Sequence, residues 1–547
     1  MTVRGRNGAT APICPRRRIE VGKAVTPLQL PGAATVPELL RNGARRDPDQ
    51  LALSARSVSG ARLRRSYAGL VRDMDRAAAE LAELGLAAGE RAATFLTNDA
   101  GYEFVMTALG AVALGAIVVP FNTRASDEDI RHAFALTQPG LVVVAASNAE
   151  RLRGLAPAGT RLAVAGEDVF AAAPGEAPSN PGMAPGAAAP RAGDIAALLF
   201  TSGTTARSKA VMASHASMIA SGACCAAALG LRRGDVYQAG FPVFTSAALN
   251  IACMACWVAG AGFVLEAVLD NEGRLAAIAA EGSSVYHGVP SVLAFMLDGF
   301  DPARHDLSGL RRIASGGAAL PPDLAARLVA TWPHAELVQI YGLTESGPTG
   351  TVLAPEEAEM GRGSIGRAMP GCMVEILGED GQAVETGQTG EIAITSPGVA
   401  VGYFRDPEAS RKTFSDKRVL TGDVGRLDAN GFLHFGDRKK DVINRGGLKI
   451  ASVAVEDALH AHPAVSEAAV VAVPHAKLGE DVGAAVVFRR GQKADEAELR
   501  SHCAAALADY AVPRRWLVLD SLPRNPMGKV LKNELRALFT AAPNPGR

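Results

Sequence analysis

At 547 residues the chain exceeds what one hydrophobic core supports, so a large region and at least one further domain are expected. Apolar residues make up 48% and charged residues 20%, and 56 basic side chains balance 56 acidic ones, which excludes a net field that would draw nucleic acid or an anionic membrane. Seven cysteines at irregular spacing, two of them adjacent at Cys224 and Cys225, exclude a disulfide framework and suit a reducing, cytoplasmic compartment.

Residues 1–25 read as a disordered leader, rich in Arg (PRRR, residues 15–18) and without the apolar core of a secretory signal. Residues 104–123 carry no charge and approach the length of a membrane span, but Gly110, Gly115 and Pro120 divide them. Helix, tight turn and buried parallel strand is the better reading, and stable membrane insertion is not expected. Apolar β-branched runs (GLVVV, residues 140–144; DIAALLF, 194–200; GFVLEAV, 262–268) alternate with Ala-rich stretches such as RDMDRAAAELAELGL. Such alternation predicts α/β architecture: a large N-terminal domain of layered α/β subdomains over 26–437. Residues 171–193 are a Pro/Gly/Ala tract that reads as an exposed loop. Cys253 and Cys256 form a CxxC inside an apolar segment and read as packed side chains, not zinc ligands.

After about Gly390 short alternating runs and turns, with Asn430-Gly431 as a hairpin signal, predict a β-rich part. Residues 438–547 then form a small, mobile α+β C-terminal domain, its hinge near Lys440.

FTSGTTARSKAVMASH (residues 200–215) follows an apolar strand. It is not a Walker A loop, because Lys209 lies between Ser208 and Ala210. Thr201, Ser202, Thr204 and Thr205 around Gly203 still offer hydroxyls and backbone N–H groups, and Lys209 a point charge, which suit β- and γ-phosphates as well as a solvated turn. GRGSIG (residues 361–366) lacks the strand-before, helix-after context of dinucleotide binding. YGLTES (residues 341–346) combines an aromatic face for a base, a hydroxyl and a carboxylate for a metal ion. Asp423, in a turn beside Gly422, could accept bonds from ribose hydroxyls, and Lys529, after Gly528 and Pro526, reads as an exposed, mobile cation.

With PVF at Pro242, GVPS at Gly288, SGGAAL at Ser315, GSIGRAMPG, TGD, DRKKDVI and PRNPMGK, these segments resemble, in order and over about residues 36–535, the adenylate-forming superfamily of acyl-CoA synthetases, luciferases and adenylation domains. The resemblance implies an acyl-CoA ligase using ATP, Mg²⁺ and coenzyme A. It implies that Thr201, Ser202, Gly203, Thr204, Thr205 and Lys209 hold the β/γ-phosphates, with Gly317 and Ala318 also on the nucleotide side. Tyr341 would stack on adenine, Thr344 touch the α-phosphate, Glu345 bind Mg²⁺, and Asp423 and Arg438 contact ribose. Lys529 would bridge substrate carboxylate and α-phosphate, Lys440 act as pivot, and Gly446 and Gly447 reach the pantetheine tunnel.

Phe244, Thr245, His287, Gly316 and Gly342 are the expected acyl-pocket residues. PVFTSAA, YHGVPS, SGGAAL and QIYGLTE contain no Lys or Arg, so a second carboxylate would be unpaired and a neutral-tailed monocarboxylic acid is expected. Against the family pattern, Ala206, Ser208 and Ala210 replace Gly, Pro and Gly, Thr245 replaces His, Leu448 replaces Glu, and Ser452 and Ala454 replace Pro and Glu. The loop changes narrow its backbone freedom and predict weaker or slower ATP binding. The competing readings are an enzyme loading a carrier protein, a luciferase-like oxidase, and a non-catalytic nucleotide sensor, the last opposed by Glu345, Asp423 and Lys529 together. A homodimer is left open.

Overall fold

The computed structural model describes residues 26–171, 189–201, 208–267, 270–524 and 530–541. The leader and most of the Pro/Gly/Ala tract lie outside these ranges. The uncharged run of residues 104–123 resolves as expected into helix Gly101–Ala113, a turn with Gly115 at φ +75°, and strand Ile117–Pro120 parallel to Arg91–Phe95. Among the described residues no helix is long and apolar enough to cross a membrane.

Two largely parallel sheets organise the large region. One runs Gly402–Tyr403, Ala210–Ser214, Ile195–Phe200, Ile117–Pro120, Arg91–Phe95, Leu141–Val144, Arg161–Val164. In the other, Glu336–Gly342, Arg312–Ser315, Val285–Gly288, Val236–Ala239, Gly262–Leu265 and Leu51–Arg56 are parallel neighbours, with antiparallel strands at both edges. One continuous core takes in strands of both sheets (Leu53, Phe263; Ala92, Val118) and helices Tyr67–Glu83, Gly101–Ala113, His215–Ala228 and Met254–Ala259. The small residues of these helices permit close approach: a Cβ on Gly222 would lie 2.7 Å from the backbone carbon of Met254. Cys253 and Cys256 are buried in this core, as packed side chains.

The β-rich part is an antiparallel sheet of Met373–Leu377, Gly390–Thr395, Arg418–Leu427 and Phe414–Ser415, with Leu433–Arg438 beside Arg418–Leu427. The Asn430-Gly431 signal is a turn between the last two strands, Asp428 Oδ1 accepting the N–H groups of Asn430 and Phe432. Beyond it, strand Val465–His475 turns alternate residues to two faces, both covered. Ala468 and Val470 face Val455, Leu459 and Leu499, while Ala469, Val471 and Val473 face Leu535 and Phe539. The five-stranded sheet of this smaller C-terminal domain thus carries helices on both faces, an α+β unit.

His215, first residue of helix His215–Ala228, is 1% exposed and its Nδ1 accepts the Val36 N–H at 3.2 Å. Burial lowers its pKa to about 4, and burial lowers that of His287 to about 3. Both rings are therefore neutral in the native state while an unfolded chain protonates them below about pH 6.5, so stability falls as pH drops from 6.5. At pH 5 each site contributes a loss of about 2 kcal/mol. Denaturant titrations from pH 7 to 5 should show this decline, and His215→Gln should make it shallower by up to about 1.4 kcal/mol per pH unit.

Candidate active site

Three adjacent parallel strands, Val285–Gly288, Arg312–Ser315 and Glu336–Gly342, end side by side, with Gly288 opposite Ser315 and Ser315 opposite Gln339. Their C-terminal ends present His287, Gly316 and Tyr341, in the crevice where open α/β sheets bind ligands.

The Tyr341 hydroxyl donates to Asp423 Oδ2 at 2.6 Å, and Arg438 Nε lies 3.1 Å from Asp423 Oδ1. Burial first, then the Asp423 charge, raises the Tyr341 pKa well above its ordinary value, so the phenol stays a donor. Asp423 does not sit in a turn as its sequence context suggested. It lies within strand Arg418–Leu427, directly opposite Arg438, at a bulge where Gly422 takes φ +70°. The irregularity, not a chain reversal, is what the glycine serves: Gly422 N–H donates to Glu391 Oε1 and its carbonyl accepts the Lys439 N–H. Thr421 Oγ1 accepts the Asp423 N–H and donates to the Ile392 carbonyl, which fixes the bulge.

Glu345 stands in the short turn Thr344–Ser346 that follows Tyr341 and Gly342. Ser346 Oγ ties this turn by donating to the Thr349 carbonyl at 2.5 Å and accepting the Leu343 N–H at 3.2 Å, and Ser221 Oγ donates to the Gly347 carbonyl. A Cβ on Gly342 would lie 2.6 Å from the Pro348 backbone, so that position admits no side chain. The Tyr403 hydroxyl donates to Glu345 Oε1 at 2.9 Å, and Lys209 Nζ stands 4.6 Å from the centre of the Tyr403 ring and 3.9 Å from Asp406 Oδ2. Lys209 and Glu345 are thus joined through Tyr403, a residue the sequence reading passed over. The signal was present in GYFRD (residues 402–406), whose Gly402–Tyr403 pairs with Val211 and Met212 across the sheet.

Thr201 and Lys209 form the stems of the hydroxyl-rich loop, the Thr201 N–H donating to the Lys209 carbonyl at 3.0 Å. Ser202, Gly203, Thr204, Thr205 and Ala206 lie outside the described residues, as does Lys529. Ala210 begins strand Ala210–Ser214 and is fully buried, so this departure from the family pattern supplies a core methyl.

Phe244 is buried. The Thr245 hydroxyl is spent on the Pro242 carbonyl at 2.7 Å, while His287 Nδ1 meets the Tyr237 hydroxyl at 2.6 Å. Gly317, at φ +81°, and Ala318 continue from Gly316.

Lys440 lies in the four-residue link between Leu433–Arg438 and Ile443–Arg445. Burial lowers its pKa, with Asp441 opposing and Arg438 and Arg536 adding to the shift. On its large-domain side, Asp437 Oδ2 accepts the Ser452 N–H at 2.5 Å; on the other, Arg536 pairs with Asp441 at 2.7 Å. Gly446 and Gly447 make the two-residue turn between Ile443–Arg445 and Leu448–Ile450 at φ +58° and +93°, a conformation that favours glycine. Nothing in their contacts joins them to the Tyr341 cluster: Leu478 is what a Cβ on Gly446 would meet.

The sequence model described as AMP-binding enzyme matches residues 40–404, and that of the AMP-binding enzyme C-terminal domain matches residues 454–529. The chain belongs to the AMP-binding enzyme family. Long-chain-fatty-acid–CoA ligase FadD13 of Mycobacterium tuberculosis is 32% identical over 486 residues, covering 88% of this chain and 94% of that protein. Feruloyl-CoA synthase of Amycolatopsis is 33% identical over 476 residues, 87% of this chain and 94% of that protein. ATP-bound MatB from Rhodopseudomonas palustris superposes with a TM-score of 0.81 at 29% identity, covering 92% of this chain and 99% of that one. The resemblance drawn from the motifs is borne out: this family member is an ATP-dependent, AMP-forming acyl-CoA ligase.

Tyr403→Phe removes the donor to Glu345 and leaves the ring beneath Lys209. Pyrophosphate release should show kcat/KM for MgATP lowered by about tenfold, the order expected for a hydrogen bond to a charged group. Unchanged kinetics would remove Tyr403 from the site.

Proposed function

We propose that this ligase activates a neutral-tailed monocarboxylic acid, in the cytoplasm, through an acyl-adenylate that is then passed to coenzyme A. The Tyr341–Asp423–Arg438 cluster at the strand ends is the observation that carries the reading. In it Tyr341 offers its ring to adenine, and the buried Asp423 carboxylate, steadied by Arg438, accepts from ribose hydroxyls. Lys209 and the hydroxyls of residues 201–205 hold the β/γ-phosphates, Thr344 the α-phosphate, and Gly317 and Ala318 border the nucleotide.

Glu345 is the carboxylate for Mg²⁺. No cluster of three or more acidic, His or Cys side chains able to hold a metal occurs among the described residues. One oriented carboxylate fits Mg²⁺, which typically takes one or two protein carboxylates and completes its shell from phosphates and water. When bound, the ion neutralises charge developing on the phosphate oxygens. Lys529 brings the acid's carboxylate to the α-phosphorus, and attack there forms the acyl–phosphate bond as the α,β-phosphate bond breaks and pyrophosphate leaves. Rotation of the small domain about Lys440 then withdraws Lys529 and presents the Gly446-Gly447 turn to the pantetheine arm. The thiolate attacks the acyl carbon, and AMP leaves. Phe244, Thr245, His287, Gly316 and Gly342 border the acyl group; with no Lys or Arg in their segments and His287 kept neutral by burial, a second carboxylate on the acid would be unpaired.

Pyrophosphate release from MgATP is the deciding measurement, run with short, medium, long-chain and aromatic acids, with and without coenzyme A. CoA-dependent turnover of neutral acids and none of dicarboxylates is expected; turnover of malonate would overturn the tail assignment. Lys529→Ala should lower adenylate formation by about 10²–10³ while sparing thioester formation from supplied acyl-adenylate. Equal loss of both steps would refute the two-conformation scheme.

A further inference from the structure

We propose that His287 is a specificity-determining residue: its Nε2–H donates to a neutral acceptor oxygen (ether, hydroxyl or carbonyl) carried on the tail of the acyl group. The inference rests on the ligase reading and adds the chemistry of the tail.

His287 lies on Val285–Gly288 and is 1% exposed. Tyr237, from the neighbouring strand Val236–Ala239, places its hydroxyl 2.6 Å from Nδ1. Burial raises the Tyr237 pKa well above its ordinary value, so its O–H persists and requires an acceptor. A neutral imidazole offers one acceptor nitrogen and one N–H. Nδ1 accepts from Tyr237, and the ring proton therefore sits on Nε2. That nitrogen is buried and has no hydrogen-bond partner among the described residues. Buried N–H groups are nearly always satisfied, so this one calls for an acceptor from outside the chain, and at the strand ends a bound acid can supply it.

The surroundings of Nε2 define what can complete it. Phe241 packs edge-to-face on the imidazole at 4.8 Å, and Gly316 stands opposite Nε2. A Cβ at residue 316 would lie 3.1 Å from Nε2 and 2.9 Å from Ile340 Cγ1, so any other residue there would cap the N–H. Glycine adds no side chain of its own there, at the end of the strand that pairs with Glu336–Gly342. An anionic partner would need a nearby cation, which the surrounding segments lack, whereas a neutral oxygen needs only the one donor.

The test uses shape-matched acids: cinnamates carrying methoxy or ethyl at the 2, 3 or 4 position, and octanoates carrying oxo or methyl groups along the chain. In the wild type at least one oxygenated acid should exceed its hydrocarbon match by about tenfold or more in kcat/KM. His287→Phe should reduce that ratio to below about twofold, and His287→Gln, which keeps an N–H, should retain part of it. Tyr237→Phe frees the tautomer and should lower the ratio without removing activity, giving a readout if His287→Phe fails to fold. A wild-type enzyme that turns over both members of every pair equally, or a His287→Phe variant that keeps the preference, overturns this inference and leaves the ligase intact. Failure to release pyrophosphate with any acid overturns the ligase reading as well.

Discussion

A buried carboxylate shared by a phenol and a guanidinium ties the C-terminal strand ends of the large region to the β-rich sheet. Asp423 is 2% exposed, and an unpaired charge at that depth would either be expelled or protonated. Tyr341 and Arg438 prevent both, and they come from different parts of the chain: Tyr341 from the parallel sheet of the large region, Arg438 from the last strand before the small domain. The β-rich sheet is thereby clipped to the strand ends at the point where the chain leaves for the lid. Loss of Asp423 would strand the buried Tyr341 hydroxyl, a cost of about 1–3 kcal/mol in addition to any effect on a ligand.

Charge is divided along the same line. Lys209 and Arg438 stand on the side of the phosphates and ribose in the proposed mechanism, while the segments around His287 and Gly316 bring hydroxyls, glycines and one neutral imidazole. In that proposal, electrostatic attraction serves the nucleotide, and hydrogen bonding and shape are left to discriminate the acid.

The parts legible in the sequence are those where local chemistry and long-range packing agree. The β-branched runs became parallel strands because both their faces are covered, and the glycine-punctuated segment of residues 104–123 became helix, turn and strand. The hairpin at Asn430-Gly431 and the turn at Gly446-Gly447 followed from residues that tolerate positive φ. What local reading missed depended on pairing across the fold. Asp423 beside Gly422 has the composition of a turn, and only its neighbours Glu391 and Lys439 convert it to a bulged strand. Tyr403 sits in a two-residue strand whose partner lies about 190 residues earlier, and its hydrogen bond to Glu345 has no local signature. The His287 tautomer likewise rests on Tyr237, fifty residues away in sequence and on the adjacent strand.

The two aspartates that bracket Lys440 face opposite mechanical fates. Asp437 belongs to the last strand of the large region and grips the Ser452 amide of the small domain, whereas Asp441 and its partner Arg536 both belong to the small domain. Turning the chain about Lys440 would part the first pair and carry the second along intact. In the proposed scheme this charge-assisted bond, about 1.5–3 kcal/mol or a few times the thermal energy, would give the small domain a resting angle and still break on the microsecond-to-millisecond scale of domain motion. Ser452 supplies the amide hydrogen for that detent, which a proline at this position would lack.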